Sequence, residues 1–599
     1  MGVKYKAHAL IGDGTAALWL DDRLLEKVPV NFLSGDGDLS GGYSPSYLNG
    51  PAEYQVVQSD LRVISDSDHL EHVFELPKDR RRFISLRMLN PIVGAFKQPF
   101  KPTKSVDVEV SFEFAPALFD PVKVGPLVDR YGQAVAADFP GKVADDQQLV
   151  DATADEERLL KHWPKPGGYD RFGGYIGSVW HQQATGFYRV EKRGKFWWLI
   201  SPAGNPCFYV GLCDAPCLAW NGTPVNGRRF MFEHLPPREG QFAEAWKMNI
   251  WETESPDAAY FIFHVANLID KYGGQWKERA NSSTLTRLEA LGFSGFGKWC
   301  EPLPGHPFVP VIFPSGIDKL TAHPDPWDPR VRRQVRAWLE KEVEPRRDDP
   351  FIVGWSIGNE REAFPDLNDV RKVLASTDGT PAKQAMLAFA KLKGINPTSA
   401  EGAERLRLFY EDALFDLYYR TIKDVDPHHL YLGNWVTPNW WIDSDDWGAI
   451  AKHCDVIGFD RYARSLDDPA MDRLLADFDK PALCGEFSFP ADYGGRRGYG
   501  TYSSSVETER ESGDLYRRWI SDAAAHPRII GALYFEYRDE PILGRGPGAG
   551  GAFPVLGENY AFGLVDVTDR LKFELCQSVR EANLQAVTTR LELSDQTVR

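Results

Sequence analysis

Two glutamates close apolar runs of this chain in a way that suits acid–base work on a glycosidic bond. Gly358, Asn359 and Glu360 end the run FIVGWSIGNE (351–360), and Gly485 and Glu486 sit inside PALCGEFSF (481–489). Carboxylates delivered by two strand ends to one cleft can cleave such a bond. One protonates the leaving oxygen, while the other attacks the sugar carbon or activates water. Either glutamate alone would more often be a solvated rim residue, so the pair and its setting carry the reading. Aromatic residues make up 13% of the chain, with 18 Trp, 23 Tyr and 35 Phe. Their rings fill cores, and they also suit the apolar faces of sugars.

The elements that must position the pair follow from the rhythm of the sequence after Cys207. Eight short, nearly continuous apolar runs appear there: 208–215, 293–300, 308–314, 351–360, 430–435, 455–462, 481–489 and 529–537. Strands buried on both faces read this way, and segments of helical periodicity such as VRRQVRAWLEKEVEP, AERLRLFYEDALFDLYYRTI and SGDLYRRWISDAAAH separate them. Only the link between the second and third runs is too short for a helix. The pattern predicts an α/β protein with a (β/α)8 TIM barrel over 207–599 and a helical insertion at about 364–429. A doubly wound sheet would need a Gly-rich phosphate turn after its first strand, and GLCDAP is not one. Residues 1–120 carry alternating runs such as EYQVVQSDLRVI, HVFELP, RRFISLRML and SVDVEVSFEF between turn signals, which predict an antiparallel β-sandwich accessory domain. Between them, 121–206 reads as a connector with one helix around DQQLVDATADEERLLKHW and a hairpin leading into the barrel.

Barrel active sites form where the strands end, so Glu360 and Glu486, from runs four and seven, would share one mouth. Asn359 beside Glu360 can hydrogen-bond the hydroxyl next to the reacting carbon, and Tyr462, ending run six, can orient Glu486 through its phenol. Trp299, Trp435, Trp440 and Trp441 follow runs two and five, where indoles serve equally as sugar platforms or as loop packing. Asp214 ends run one and is a candidate hydroxyl ligand; Glu301 is better read as a solvated rim residue. His181 and His306 fall in loops near the barrel ends and carry little weight.

Several segments resemble glycoside hydrolase family 50, the β-agarase family, within the retaining (β/α)8 glycosidase superfamily. They are 129–143, 186–212, 354–360, 485–491, 534–546 and 557–569, of which YFEYRDEPILGRG and GENYAFGLVDVTD are among the most specific. The resemblance runs from about 125 to 590, and it reaches the family's carbohydrate-binding-like sandwich only in outline. It implies hydrolysis of β-linked galactose in agarose-type chains with retained configuration, with Glu360 as acid/base and Glu486 as nucleophile. The chain departs from the family at Glu536, Glu540 and Asp460, which put extra carboxylates at or near the mouth. Glu536 beside Glu486 would favour a substrate, or a cationic partner such as Arg461 or Arg538, that compensates. The alternatives are a β-galactosidase or other β-glycosidase of different linkage specificity, or a carbohydrate-binding barrel without catalysis.

The rest of the composition narrows the setting. With 69 basic and 85 acidic residues the net charge is −16, which disfavours nucleic acid and anionic membrane surfaces and leaves an oligo- or polysaccharide as the expected partner. The oligomeric state is not legible. No run is long and apolar enough to span a bilayer, and the start lacks a signal-peptide pattern, which fits a cytoplasmic protein, or a secreted or periplasmic one if a leader precedes it. Seven Cys without a CxxC pair read as buried thiols, Cys213 and Cys217 lack the partners of a zinc site, and the chemistry requires no cofactor.

Overall fold

The computed structural model describes residues 126–248, 258–437, 444–493, 497–500, 502–545 and 558–598, and eight strands before residue 117. Six of these strands form one antiparallel sheet, in the order Arg23–Pro29, Thr15–Leu20, Lys4–Gly12, Ser105–Pro116, Tyr54–Ser65, Glu71–Phe74. Gly37–Leu39 pairs separately with Gln98–Phe100. The alternating segments at 53–64 and 105–114 thus become adjacent strands of the larger sheet, whereas 81–89 lies outside the described residues.

Each of the eight apolar runs contains a strand. They are β1 (Tyr209–Leu212), β2 (Gly295–Phe296), β3 (Val311–Ile312), β4 (Gly354–Ile357), β5 (Leu430–Tyr431), β6 (Ile457–Asp460), β7 (Ala482–Phe487) and β8 (Ile529–Tyr534). All their pairings are parallel, giving the orders β2-β1-β8-β7-β6 and β3-β4-β5. Backbone bonds continue between the two sets, from Phe296 N to Pro307 O at 2.8 Å and from Val436 N to Gly458 O at 2.9 Å. Parallel neighbours need crossovers, and helices supply them. Helices α2 (Phe263–Tyr272) and α3 (Trp276–Ala290) follow β1, α4 (Pro329–Val343) follows β3, and α8 (Ser444–Lys452), α9 (Pro469–Phe478) and α10 (Glu509–Ala525) follow β5, β6 and β7. The insertion after β4 folds as α5 (Leu367–Ala375), α6 (Pro381–Lys393) and α7 (Ala400–Val425), α11 (Phe573–Val598) follows β8, and α1 (Asp146–Leu160) precedes the whole set.

Local chemistry explains where these helices start and which face they bury. Asp328 caps α4 by accepting from Arg330 N, Pro329 stands at its first position, and Val331, Val335, Trp338, Leu339 and Val343 form its buried stripe. Thr508 and Glu511 make a capping box at the start of α10. That helix lies tightly against α11, because a Cβ on Gly513 would come within 2.6 Å of Ser578 Oγ.

The strands alternate between two apolar clusters. Val210 and Leu212 face the cluster shared with Trp338, Trp519 and the other crossover-helix residues, while Tyr209 and Cys213 face a second cluster with Val353, Leu430, Leu432, Trp435 and Leu483. Both faces are therefore dry, which is why the runs read as continuous instead of alternating. The hairpin of the connector region, Arg189–Arg193 with Phe196–Ile200, packs into the same core at the N-terminal ends of the strands, where Trp197 N bonds Pro527 O just ahead of β8. No helix among the described residues is long and apolar enough to cross a membrane.

Candidate active site

The C-terminal ends of β1, β2, β4 and β5 share an unusual backbone feature. Asp214, Trp299, Glu360 and Trp435 all have positive φ, at 56°, 60°, 46° and 57°. Non-glycine residues rarely adopt this region, and where they do, the surrounding packing has to hold them there. The bends turn these side chains across the strand ends instead of away along the loops. Gly485 serves the same site from β7, since a Cβ there would meet Trp435 at 2.3 Å and Asp460 Oδ1 at 2.5 Å.

Glu486 is buried, accepts two side-chain hydrogen bonds and forms one ion pair. Trp299 Nε1 donates to Oε1 at 2.7 Å, Tyr462 Oη donates to Oε2 at 2.7 Å, and the Lys298 ammonium lies 2.9 Å from Oε1. Lys298 also donates to Asp460 Oδ2 at 2.7 Å and to Asn359 Oδ1 at 2.8 Å, and it sits 4.5 Å from the centre of the Trp435 ring. Burial alone would lower the lysine pKa, but the Asp460 and Glu486 carboxylates outweigh it and hold the ammonium above its ordinary value. Burial, with the negative charges of Glu486 and Glu360 and against the pull of Lys298, pushes Asp460 well above the usual carboxylate range.

Oxygens of Glu360, Asp460 and Glu486 all lie within 4.8 Å of one another. Burial and the Glu486 charge, again against Lys298, raise Glu360 to about 7. The cluster therefore holds two raised carboxyl groups, Glu360 poised near neutrality and Asp460 raised well above its ordinary range, beside a Glu486 held by two hydrogen-bond donors and one ammonium. Three acidic groups this close could also hold a divalent cation, but the Lys298 ammonium already sits between two of them at hydrogen-bond distance. An added ion would have to displace it.

Of the residues expected from sequence, Glu360, Glu486, Asn359, Tyr462 and Trp299 come together here. Trp435 does not open onto the site: it is 0% exposed and forms the floor beneath Lys298, because its bend tucks the indole under Gly458 and Gly485. Trp440 and Trp441 lie outside the described residues. His181 bonds Asn205 and His306 bonds the Pro304 carbonyl. All seven cysteines are free thiols.

Asp214 and Glu536 form a separate buried cluster with Glu540, and among the described residues no ion pair or hydrogen bond joins either of them to Glu486. The cation expected to compensate Glu536 is neither Arg461, which pairs with Asp468, nor Arg538, which faces Asp569. It is Arg545, whose guanidinium reaches Glu536 and Glu540 at 3.0 Å each, Glu558 at 3.3 Å and Asp214 at 3.7 Å. A planar fork can serve several carboxylates at once, which neither of the other two arginines is placed to do. With three buried acids around one arginine, burial dominates: Asp214 is raised, Glu536 is raised well above its ordinary value and Glu540 is raised to about 8, each against the pull of Arg545.

The residue missed from sequence is Lys298. Its signal was a lysine inside the apolar run FSGFGKWC, since an ammonium at the end of a buried strand needs a carboxylate partner.

The chain is 26% identical over 554 residues to β-agarase B of Vibrio sp. (strain JT0107), covering 80% of this chain and 57% of that protein. It is 25% identical over 538 residues to β-agarase A of the same strain, covering 76% and 52%. The chain thus spans about half the length of these curated relatives. Among solved structures, an agarase described as AgWH50C superposes with a TM-score of 0.69 at 21% identity, covering 98% of this chain and 97% of that one. A structure described as an exo-β-agarase gives 0.72 at 20% identity, covering 98% and 90%. No protein-family model matches the chain.

Proposed function

We infer that this chain belongs to glycoside hydrolase family 50 and is a retaining β-glycosidase that cleaves β-galactosidic linkages in agarose-type polysaccharide or its oligosaccharides. The observation that carries the mechanism is the closeness of Glu360 and Glu486, whose oxygens lie within 4.8 Å of each other. Retaining pairs stand about 5–5.5 Å apart, whereas inverting pairs leave about 6.5–9.5 Å for a water between acid and base. The two proteins named β-agarase support the substrate class.

In the first step Glu486 attacks the anomeric carbon while Glu360 gives its proton to the departing oxygen. The bond to the leaving sugar breaks as the ester to Glu486 forms. Glu486 is then uncharged, so the main electrostatic cause holding the Glu360 proton is gone, and Glu360 can take a proton from the water that cleaves the ester. Trp299 and Tyr462 hold one carboxylate oxygen each and set the line of attack. Lys298 keeps a positive charge beside Glu486 throughout, and by taking Asn359 Oδ1 it turns the amide so that Nδ2 is the donor offered to the neighbouring sugar hydroxyl. The reading places this site at the mouth of a (β/α)8 barrel over about 207–599. Its support is the chain of parallel pairings and connecting bonds among all eight strands. The six-stranded antiparallel sheet is the basis for reading 1–120 as a sandwich-type accessory domain.

Product analysis by chromatography and NMR, after incubation with galactans and their oligosaccharides, tests the reading. Release of β-anomeric product from an agarose-type chain, lost in both Glu360→Gln and Glu486→Gln, is expected. Release of the α-anomer, or undiminished turnover in either variant, would overturn it.

A further inference from the structure

Phe313 is an aromatic side chain that the fold leaves 46% exposed. It directly follows β3, at the same strand ends that carry Trp299, Glu360, Tyr462 and Glu486. Its ring lies nearly parallel to that of Trp299, with centroids 5.9 Å apart and 19° between planes. Trp299 is in turn the donor to Glu486 at 2.7 Å. A continuous path therefore runs from the attacking carboxylate through a fixed indole to an open phenyl face.

We propose that Phe313 is the platform of a second sugar position, holding by stacking the pyranose unit next to the one whose bond is cleaved. The proposal rests on the glycosidase reading of the site and deepens it. Three features favour a sugar as the occupant. The phenyl ring is braced by the indole, so its orientation is fixed before anything binds, and a preset aromatic face suits the C–H face of a pyranose. Trp299 stands between Phe313 and Glu486, which removes the phenyl from the reacting sugar by a step comparable with one unit of the chain. The polar groups gathered with Glu486, namely Lys298, Asn359, Asp460 and Glu360, suit hydroxyls, which leaves Phe313 to meet the apolar face of a neighbouring unit. Binding energy gathered at such a remote unit can be used at the reacting centre, and it should make longer substrates better than short ones.

The test compares kcat/KM across a ladder of oligosaccharides, from the shortest one cleaved upward, for the parent enzyme, Phe313→Ala and Phe313→Tyr. In the parent, longer substrates should be favoured over the shortest. In Phe313→Ala that length advantage should shrink about five- to tenfold, mostly through KM, as expected for loss of one stacked ring. Phe313→Tyr, which keeps the face, should restore it. Thermal melting checks that the alanine variant is folded. An unchanged length advantage in Phe313→Ala, or equal losses on every substrate, overturns the proposal while leaving the glycosidase reading intact. A parent enzyme that releases no sugar from any member of the ladder overturns both.

Discussion

Replacing Glu486 by Gln should lower the pKa of Glu360, although the two residues come from different strands and the substitution leaves Glu360 itself untouched. With oxygens no more than 4.8 Å apart, two unit charges at an effective dielectric of about 20 repel by about 3.5 kcal/mol, equivalent to about 2.5 pH units. That is a ceiling. Burial is the larger cause of the rise at Glu360 and is unchanged by the substitution, and Lys298, which opposes the rise, stays in place. A fall of about one unit from the parent value of about 7 is therefore expected. On the proposed mechanism the same group sets the alkaline limb of the parent's activity, because Glu360 has to be protonated for the first step, so the rate should decline as pH rises through about 7. On that mechanism the variant lacks the attacking group, so turnover cannot report on it. Infrared difference titration of the protonated carboxyl band can, with assignment by its loss in Glu360→Gln combined with Glu486→Gln. Lys298→Met gives the opposite sign, because removing a nearby cation raises a carboxyl pKa. A Glu360 that titrates at or above its parent value in Glu486→Gln would refute the argument that like-charge repulsion keeps this acid protonated.

Lys298→Met should also slow hydrolysis by about 10²–10³-fold in a protein that still folds, since it removes a buried charge aimed at the reacting carboxylate; near-parent kcat would show that the ammonium does not shape the site. Asp569 is bound by Arg287 at 2.7 Å and Lys271 at 3.2 Å, and it ties α2 and α3 to the segment before α11. Against burial, these cations hold its pKa well below the ordinary range. Its stabilisation is present above the unfolded value of about 3.9 and is lost as pH falls through the folded one. Asp569→Asn should cost about 3–5 kcal/mol at neutral pH, read as a lower urea midpoint, with the difference narrowing in acid. Glu536 is the reverse case: its folded pKa is raised, so its ionisation erodes stability as pH rises from about 4.3 toward the folded value. Glu536→Gln should therefore leave stability at pH 8 unchanged or higher, while Arg545→Met, which strands three acids, should lower it sharply; thermal melts of both variants against pH would check this.

The sequence by itself determined the strand–helix alternation and the two glutamates at runs four and seven. Strands dry on both faces must be written as continuous apolar runs, and catalytic groups at strand ends must interrupt those runs with charge. The reason for Gly485 was not legible: it leaves room for Trp435 and Asp460, which are close only in space. Tertiary structure decided the partnerships. Lys298 meets Asp460 162 positions later, and Trp299 meets Glu486 187 positions later, separations with no local signature. Trp299 and Trp435 share nearly the same positive φ, yet their different strands send Trp435 beneath the lysine while Trp299 reaches Glu486. Glu536 likewise turned to Arg545, not to Glu486. A linear pattern records that a charge sits at the end of a buried strand. Which opposite charge answers it depends on the strand order and on the few degrees of backbone rotation that aim each side chain.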